Sequence, residues 1–123
     1  MPFFDLEASK LPAYQSSVTA PHDFDDFWAE TLAEAREHKL DAMFEPFDAG
    51  LPMVDVFDVR FAGFGGHPIR GWFIKPRAGK TDAGALVKFL GYNGGRGFPH
   101  EHLLWPASGR PVLVMDTRGQ GAG

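Results

Sequence analysis

Two short runs near the end of the chain constrain the fold most. Ala85-Leu86-Val87-Lys88-Phe89-Leu90 and Pro111-Val112-Leu113-Val114-Met115-Asp116 are apolar almost without interruption, and each is followed by a glycine-rich stretch. Continuous rather than alternating apolarity in runs this short marks strands covered on both faces, the pattern of parallel sheets. Parallel neighbours require a crossover, and only about twenty residues separate the runs. Within that interval 100–105 is the candidate for a short helix before Pro106.

The preceding residues fit an α/β architecture. Val54, Val56, Phe57, Val59 and Phe61 alternate with a one-residue slip at Val56-Phe57, which predicts a strand carrying a bulge or a pronounced twist. Gly63-Phe64-Gly65-Gly66 turns the chain into a second strand over 68–75, making an antiparallel hairpin. The stretch 76–84, with Gly79, Lys80, Thr81 and Asp82, reads as a surface loop. Phe24, Phe27, Trp28, Leu32 and Ala35 recur at helical spacing between charged positions, which predicts an amphipathic, core-packing helix over 23–39 with Asp23 as N-cap. An extended, proline-bearing arm over 1–22 precedes it, and the first strands of the sheet occupy 54–116.

The net charge of −4 provides no basic field for nucleic acid. No stretch approaches the roughly 20 apolar residues of a membrane span, and the Met1-Pro2-Phe3-Phe4-Asp5 start lacks the features of a signal peptide, so a cytoplasmic protein is expected. The absence of cysteine removes disulfide and thiolate chemistry.

Ligands of open α/β sheets gather at strand ends, which directs the search for chemistry to the two glycine-rich stretches. The first, Gly91-Tyr92-Asn93-Gly94-Gly95-Arg96-Gly97-Phe98-Pro99, carries four glycines in seven residues and brings backbone N–H groups within reach of a ligand. Three readings are open. It could cradle a phosphate, although its spacing is not G-x-G-x-x-G, no Lys-Ser/Thr follows and Pro99 interrupts the phosphate-facing helix. It could supply an oxyanion-hole amide, or be a structural turn. In the second stretch, Asp116 and Arg118 are candidates for a loop-ordering ion pair, since arginine is no general base at neutral pH. His100 and His102 argue only weakly for a metal, because two histidines at this spacing face apart on a helix. Trp28, Trp72 and Trp105 read as core or interface aromatics.

The ordered set Gly91-Tyr92-Asn93-Gly94-Gly95-Arg96-Gly97-Phe98-Pro99-His100, Trp105-Pro106 and Met115-Asp116-Thr117-Arg118-Gly119-Gln120-Gly121 resembles the acetyl xylan esterase and cephalosporin C deacetylase family of α/β-hydrolases. The likeness extends to Met1-Pro2-Phe3-Phe4-Asp5-Leu6, Asp23-Phe24-Asp25-Asp26-Phe27-Trp28 and Gly71-Trp72. It implies the amino-terminal part of an α/β-hydrolase sheet and a serine esterase that deacetylates small acetylated sugars and cephalosporin C. Such an enzyme uses a Ser-His-Asp triad, needs no metal or other cofactor, and assembles as a homo-oligomer. The resemblance assigns one oxyanion donor to the backbone N–H of Tyr92, with Gly91 and the Tyr92 ring beside the acyl pocket. The chain departs from the family in lacking G-x-S-x-G. Its serines are Ser9, Ser16, Ser17 and Ser108, and none of His22, His38, His67, His100 and His102 is assignable as the triad base. The isolated chain is therefore expected to be inactive. The alternative is a non-catalytic module whose glycine loops hold a sugar or nucleotide.

Overall fold

A computed structural model describes residues 5–78 and 84–121. The first four residues of the arm, residues 79–83 of the loop expected over 76–84 and the last two residues lie outside the described part. The chain divides into two compact units, Met1–Thr31 and Leu32–Gly123, with the boundary inside helix α1 (Phe24–Glu37). In the first unit, a single 3₁₀ turn at Leu11–Ala13 interrupts an otherwise irregular arm. Helix α1 has Asp25 and Asp26 in its first turn and Arg36 in its last, matching the dipole at each end. Its apolar stripe forms as its spacing predicts, with Trp28 meeting Phe24 and Phe27 edge-on, but it is not a core stripe. No described residue of α1 is buried.

The second unit is built on a five-stranded mixed sheet in the order β1-β2-β3-β5-β4. Its strands are β1 (Met43–Phe47), β2 (Val54–Ala62), β3 (Pro68–Pro76), β4 (Leu86–Lys88) and β5 (Val112–Met115). The hairpin of β2 and β3 and the parallel pairing of β4 with β5 follow the sequence pattern. Strand β5 inserts between β3 and β4, antiparallel to the first and parallel to the second. The crossover from β4 to β5 carries a 3₁₀ turn at Pro99–His102 and the short helix α2 (Leu104–Ala107).

Three features differ from the sequence expectation. Strand β1 extends the sheet ahead of residue 54, and its Met-Phe-Glu-Pro-Phe stretch has neither clean alternation nor a full set of donors. Pro46 lacks an N–H, which an edge strand tolerates. Of the bulge or pronounced twist expected at Val56-Phe57, the bulge is absent, because β2 pairs one-to-one with β3 from Val54↔Pro76 to Ala62↔Pro68. Instead both faces of β2 are apolar: Val54 and Val56 point one way, Phe57 and Val59 the other. Finally, β5 is buried as expected but β4 is not. It forms the other sheet edge, with Val87 and Phe89 exposed.

The main core cluster lies on one face, where Val54, Val56, Trp72, Ile74, Val112 and Val114 are packed together and Leu51, Leu86, Leu90 and Leu103 close around them. Each such side chain contributes about 1.5–3 kcal/mol on burial. On the opposite face Phe44, Phe57 and Phe73 meet in edge-on and tilted contacts. The parallel run of β4 and β5 brings their two glycine-rich loops out at the same end of the sheet, beside the β2–β3 turn.

Candidate active-site loops

The loop after β4 begins with a tight turn in which the Gly94 N–H donates to the Gly91 carbonyl at 3.0 Å. Asn93 occupies the left-handed region with φ 60°, a conformation its short polar side chain tolerates. The closing hydrogen bond spans Tyr92 without using its amide, and Tyr92 is 91% exposed at the tip. Tyr92 thus stands at the exposed tip of the loop that follows a parallel strand.

Past the turn the chain dives back into the sheet. Gly95 passes so close to the second loop that an added Cβ would lie 2.9 Å from the Gly121 Cα. The Arg96 amide donates to Asp116 Oδ1 at 2.6 Å, a charge-assisted bond joining the two loops. Asp116 has no exposed surface, and its Oδ2 lies 3.7 Å from Arg96 Nε. Asp116 thus joins the second loop to the first at Arg96. The Arg118 guanidinium lies over the Phe64 ring at 5.8 Å, next to the β2–β3 turn.

Arg96 is the hub of the region. Its guanidinium stacks on Trp72 at 3.9 Å and grips Asp58 with both terminal nitrogens, at 2.8 and 3.1 Å. Nη1 also donates to the Gly71 carbonyl at 2.8 Å. Trp72 sends its indole N–H to the Gly97 carbonyl at 2.9 Å, so the stacked pair is tied at both ends. The hydrogen bonds from Arg96, with the positive charges of Arg96, Arg70 and Arg60, hold the Asp58 carboxyl below its ordinary range against the opposing pull of burial.

The Arg96 carbonyl is taken as well. It lies 2.8 Å from His102 Nε2, and since a carbonyl only accepts, that nitrogen carries the proton. The other ring nitrogen, Nδ1, then accepts from Lys88 Nζ at 3.3 Å, linking the crossover turn to β4. His102 is buried in this role, whereas His100 is exposed and stacks on Phe98. The two histidines serve different neighbours. Among the described residues no group of three or more His, Asp or Glu side chains forms a metal cluster. Ser108 Oγ donates to the Trp105 carbonyl, and Ser16 Oγ accepts from the Val18 amide.

A cleft of about 690 Å³ opens beside the hub, lined by Phe47, Asp58, Trp72, Arg96, Phe98 and His100 among others. Its lining does not reach Gly91 or Tyr92. Sequence reasoning singled out the two loops but missed Arg96, Asp58, Trp72 and His102 as the parts that fix them. Two signals were available. An arginine among glycines, in Gly-Gly-Arg-Gly, has no steric reason to be there, and Asp58 falls on the same face of β2 as Val54 and Val56, where a carboxylate requires a partner.

A family model for acetyl xylan esterase matches residues 1–123. The chain belongs to the acetyl xylan esterase family. The acetyl xylan esterase from Paenibacillus sp. R4 is similar with a TM-score of 0.84 and 35% identity, over 95% of this chain and 38% of that one. Acetyl xylan esterase 1 from Thermoanaerobacterium sp. JW/SL YS485 also gives a TM-score of 0.84, at 30% identity, over 97% of this chain and 37% of that one. The chain thus spans less than two fifths of either esterase, and its sheet corresponds to the amino-terminal part of the acetyl xylan esterase fold. Among the described residues no helix is long and apolar enough to cross a membrane.

Proposed function

We propose that this chain is the amino-terminal segment of a serine esterase that deacetylates small acetylated sugars, and cephalosporin C among other acetyl esters, and that it contributes one oxyanion-hole donor, the Tyr92 amide. The supporting observation is the turn at the end of β4, whose closing bond from Gly94 to Gly91 does not draw on that amide and whose tip residue, Tyr92, is exposed. In the complete esterase a serine from a later segment attacks the acetyl carbonyl. The carbonyl oxygen gains charge as the tetrahedral intermediate forms, and the Tyr92 N–H stabilises it. Gly91 leaves room for the acyl group, and the Tyr92 ring borders it. On this reading residues 1–123 alone are inactive, because the nucleophile, acid and base come from elsewhere.

Acetate release from p-nitrophenyl acetate, acetylated xylo-oligosaccharides and cephalosporin C, measured for residues 1–123 and for the full-length protein, tests the proposal. Turnover by the full-length protein and none by the isolated segment is expected. Turnover by the segment itself would refute the division of labour. Saturable binding of NAD or ATP to a full-length protein that releases no acetate would replace the esterase reading with a binding module.

A further inference from the structure

We infer that Arg96 is a positioning residue for the oxyanion donor, an inference that rests on the esterase reading of Tyr92. Its guanidinium holds Asp58 of β2, the Gly71 carbonyl of β3 and the Asp116 carboxylate after β5, so one side chain fastens the loop to three strands at once. Its own backbone is held at both ends, the amide by Asp116 and the carbonyl by His102. Between this anchor and Tyr92 lie only the closed 91–94 turn and Gly95, which is wedged against Gly121. The turn moves as a unit, and the anchor sets where its tip stands.

An oxyanion donor works only within a few tenths of an ångström of about 2.9 Å, and a misplacement near 1 Å costs on the order of 100-fold in rate. Arg96 is suited to this control because it is buried and aimed away from the tip: its donors face the sheet and its flat face covers Trp72. It touches no reacting atom. A lysine at this position would keep the charge but could not span both Asp58 oxygens and the Gly71 carbonyl from one nitrogen.

Arg96→Lys, Asp58→Asn and a control on the opposite sheet face, Phe73→Leu, made in the full-length protein, test the inference. The readouts are acetyl ester kinetics, thermal melting and amide hydrogen exchange across 91–97. Arg96→Lys is expected to lower kcat about 10- to 100-fold with KM changed less than about 3-fold. Asp58→Asn should produce a smaller fall with the same split, and both should speed exchange in 91–97 while melting stays cooperative. Phe73→Leu should lower the melting temperature without either effect. Wild-type kcat in Arg96→Lys, or an equal kcat loss in Phe73→Leu, overturns the inference. If the wild-type full-length protein releases no acetate, the esterase reading fails by itself. Unchanged exchange in Arg96→Lys would then show separately that Arg96 does not hold the loop.

Discussion

The two loops contain a pair of glycines whose substitution by alanine separates rigid from yielding surroundings. Gly97 and Gly121 both have positive φ, 56° and 73°, so alanine at either costs about 1–2 kcal/mol in backbone strain. A new Cβ would in each case collide with a carboxylate, of Glu101 at Gly97 and of Asp116 at Gly121. The similarity ends there. Glu101 is exposed and spends its carboxylate on the Phe98 amide, so it can swing into water for the loss of one exposed hydrogen bond, about 0.5–1.5 kcal/mol. Asp116 is fully enclosed and holds the Arg96 amide at 2.6 Å. Displacing it breaks a buried bond to a charged group, about 1.5–3 kcal/mol, and has no exit to solvent. Gly97→Ala is therefore expected to destabilise by about 1.5–3.5 kcal/mol and Gly121→Ala by about 2.5–5 kcal/mol. Urea unfolding of the full-length variants, followed by fluorescence, gives both values in one assay. Equal losses, or a larger loss at Gly97, would refute the claim that Asp116 is immobile.

Two other perturbations bear on the hub. Trp72→Phe removes the indole donor to Gly97 and part of the surface under Arg96, and should cost about 1–2 kcal/mol in the same unfolding assay; a neutral substitution would mean that Asp58 and Asp116 hold Arg96 unaided. The Asp58 carboxyl titrates below the ordinary carboxylate range in the folded state, so its contribution is present above about pH 4 and lost as pH falls through the lowered folded value. The melting temperature of the wild type should exceed that of Asp58→Asn at pH 6, and the gap should narrow as the pH is taken down through the lowered folded value; a gap that widens on acidification would contradict the assigned sign.

Much of the architecture was legible in the sequence because its strongest signals are local. The β2–β3 hairpin follows from apolar alternation across a glycine turn, and the parallel strands from nearly continuous apolarity in 85–90 and 111–116. Strand β1 was not legible, since Pro46 and Glu45 break its pattern and its place is won by phenylalanine contacts across the sheet. The exposure of β4 was equally hidden: Val87 and Phe89 look the same whether or not another layer covers them. At the site, composition pointed to the loops but not to what holds them. Asp58 and Arg96 lie 38 positions apart, and only the insertion of β5 between β3 and β4 brings the residues around them into one cluster.

The insertion of β5 has a consequence for fidelity. Strands β4 and β5 share only three paired positions, a ladder short enough to slip. A slip of one residue would carry one loop about 3.3 Å past the other, farther than the Arg96 to Asp116 bond could stretch. Alignment is thus verified twice, along the strands and again at the loop tips, and a chain that pairs wrongly forfeits the buried guanidinium contacts along with the shape of its loop end.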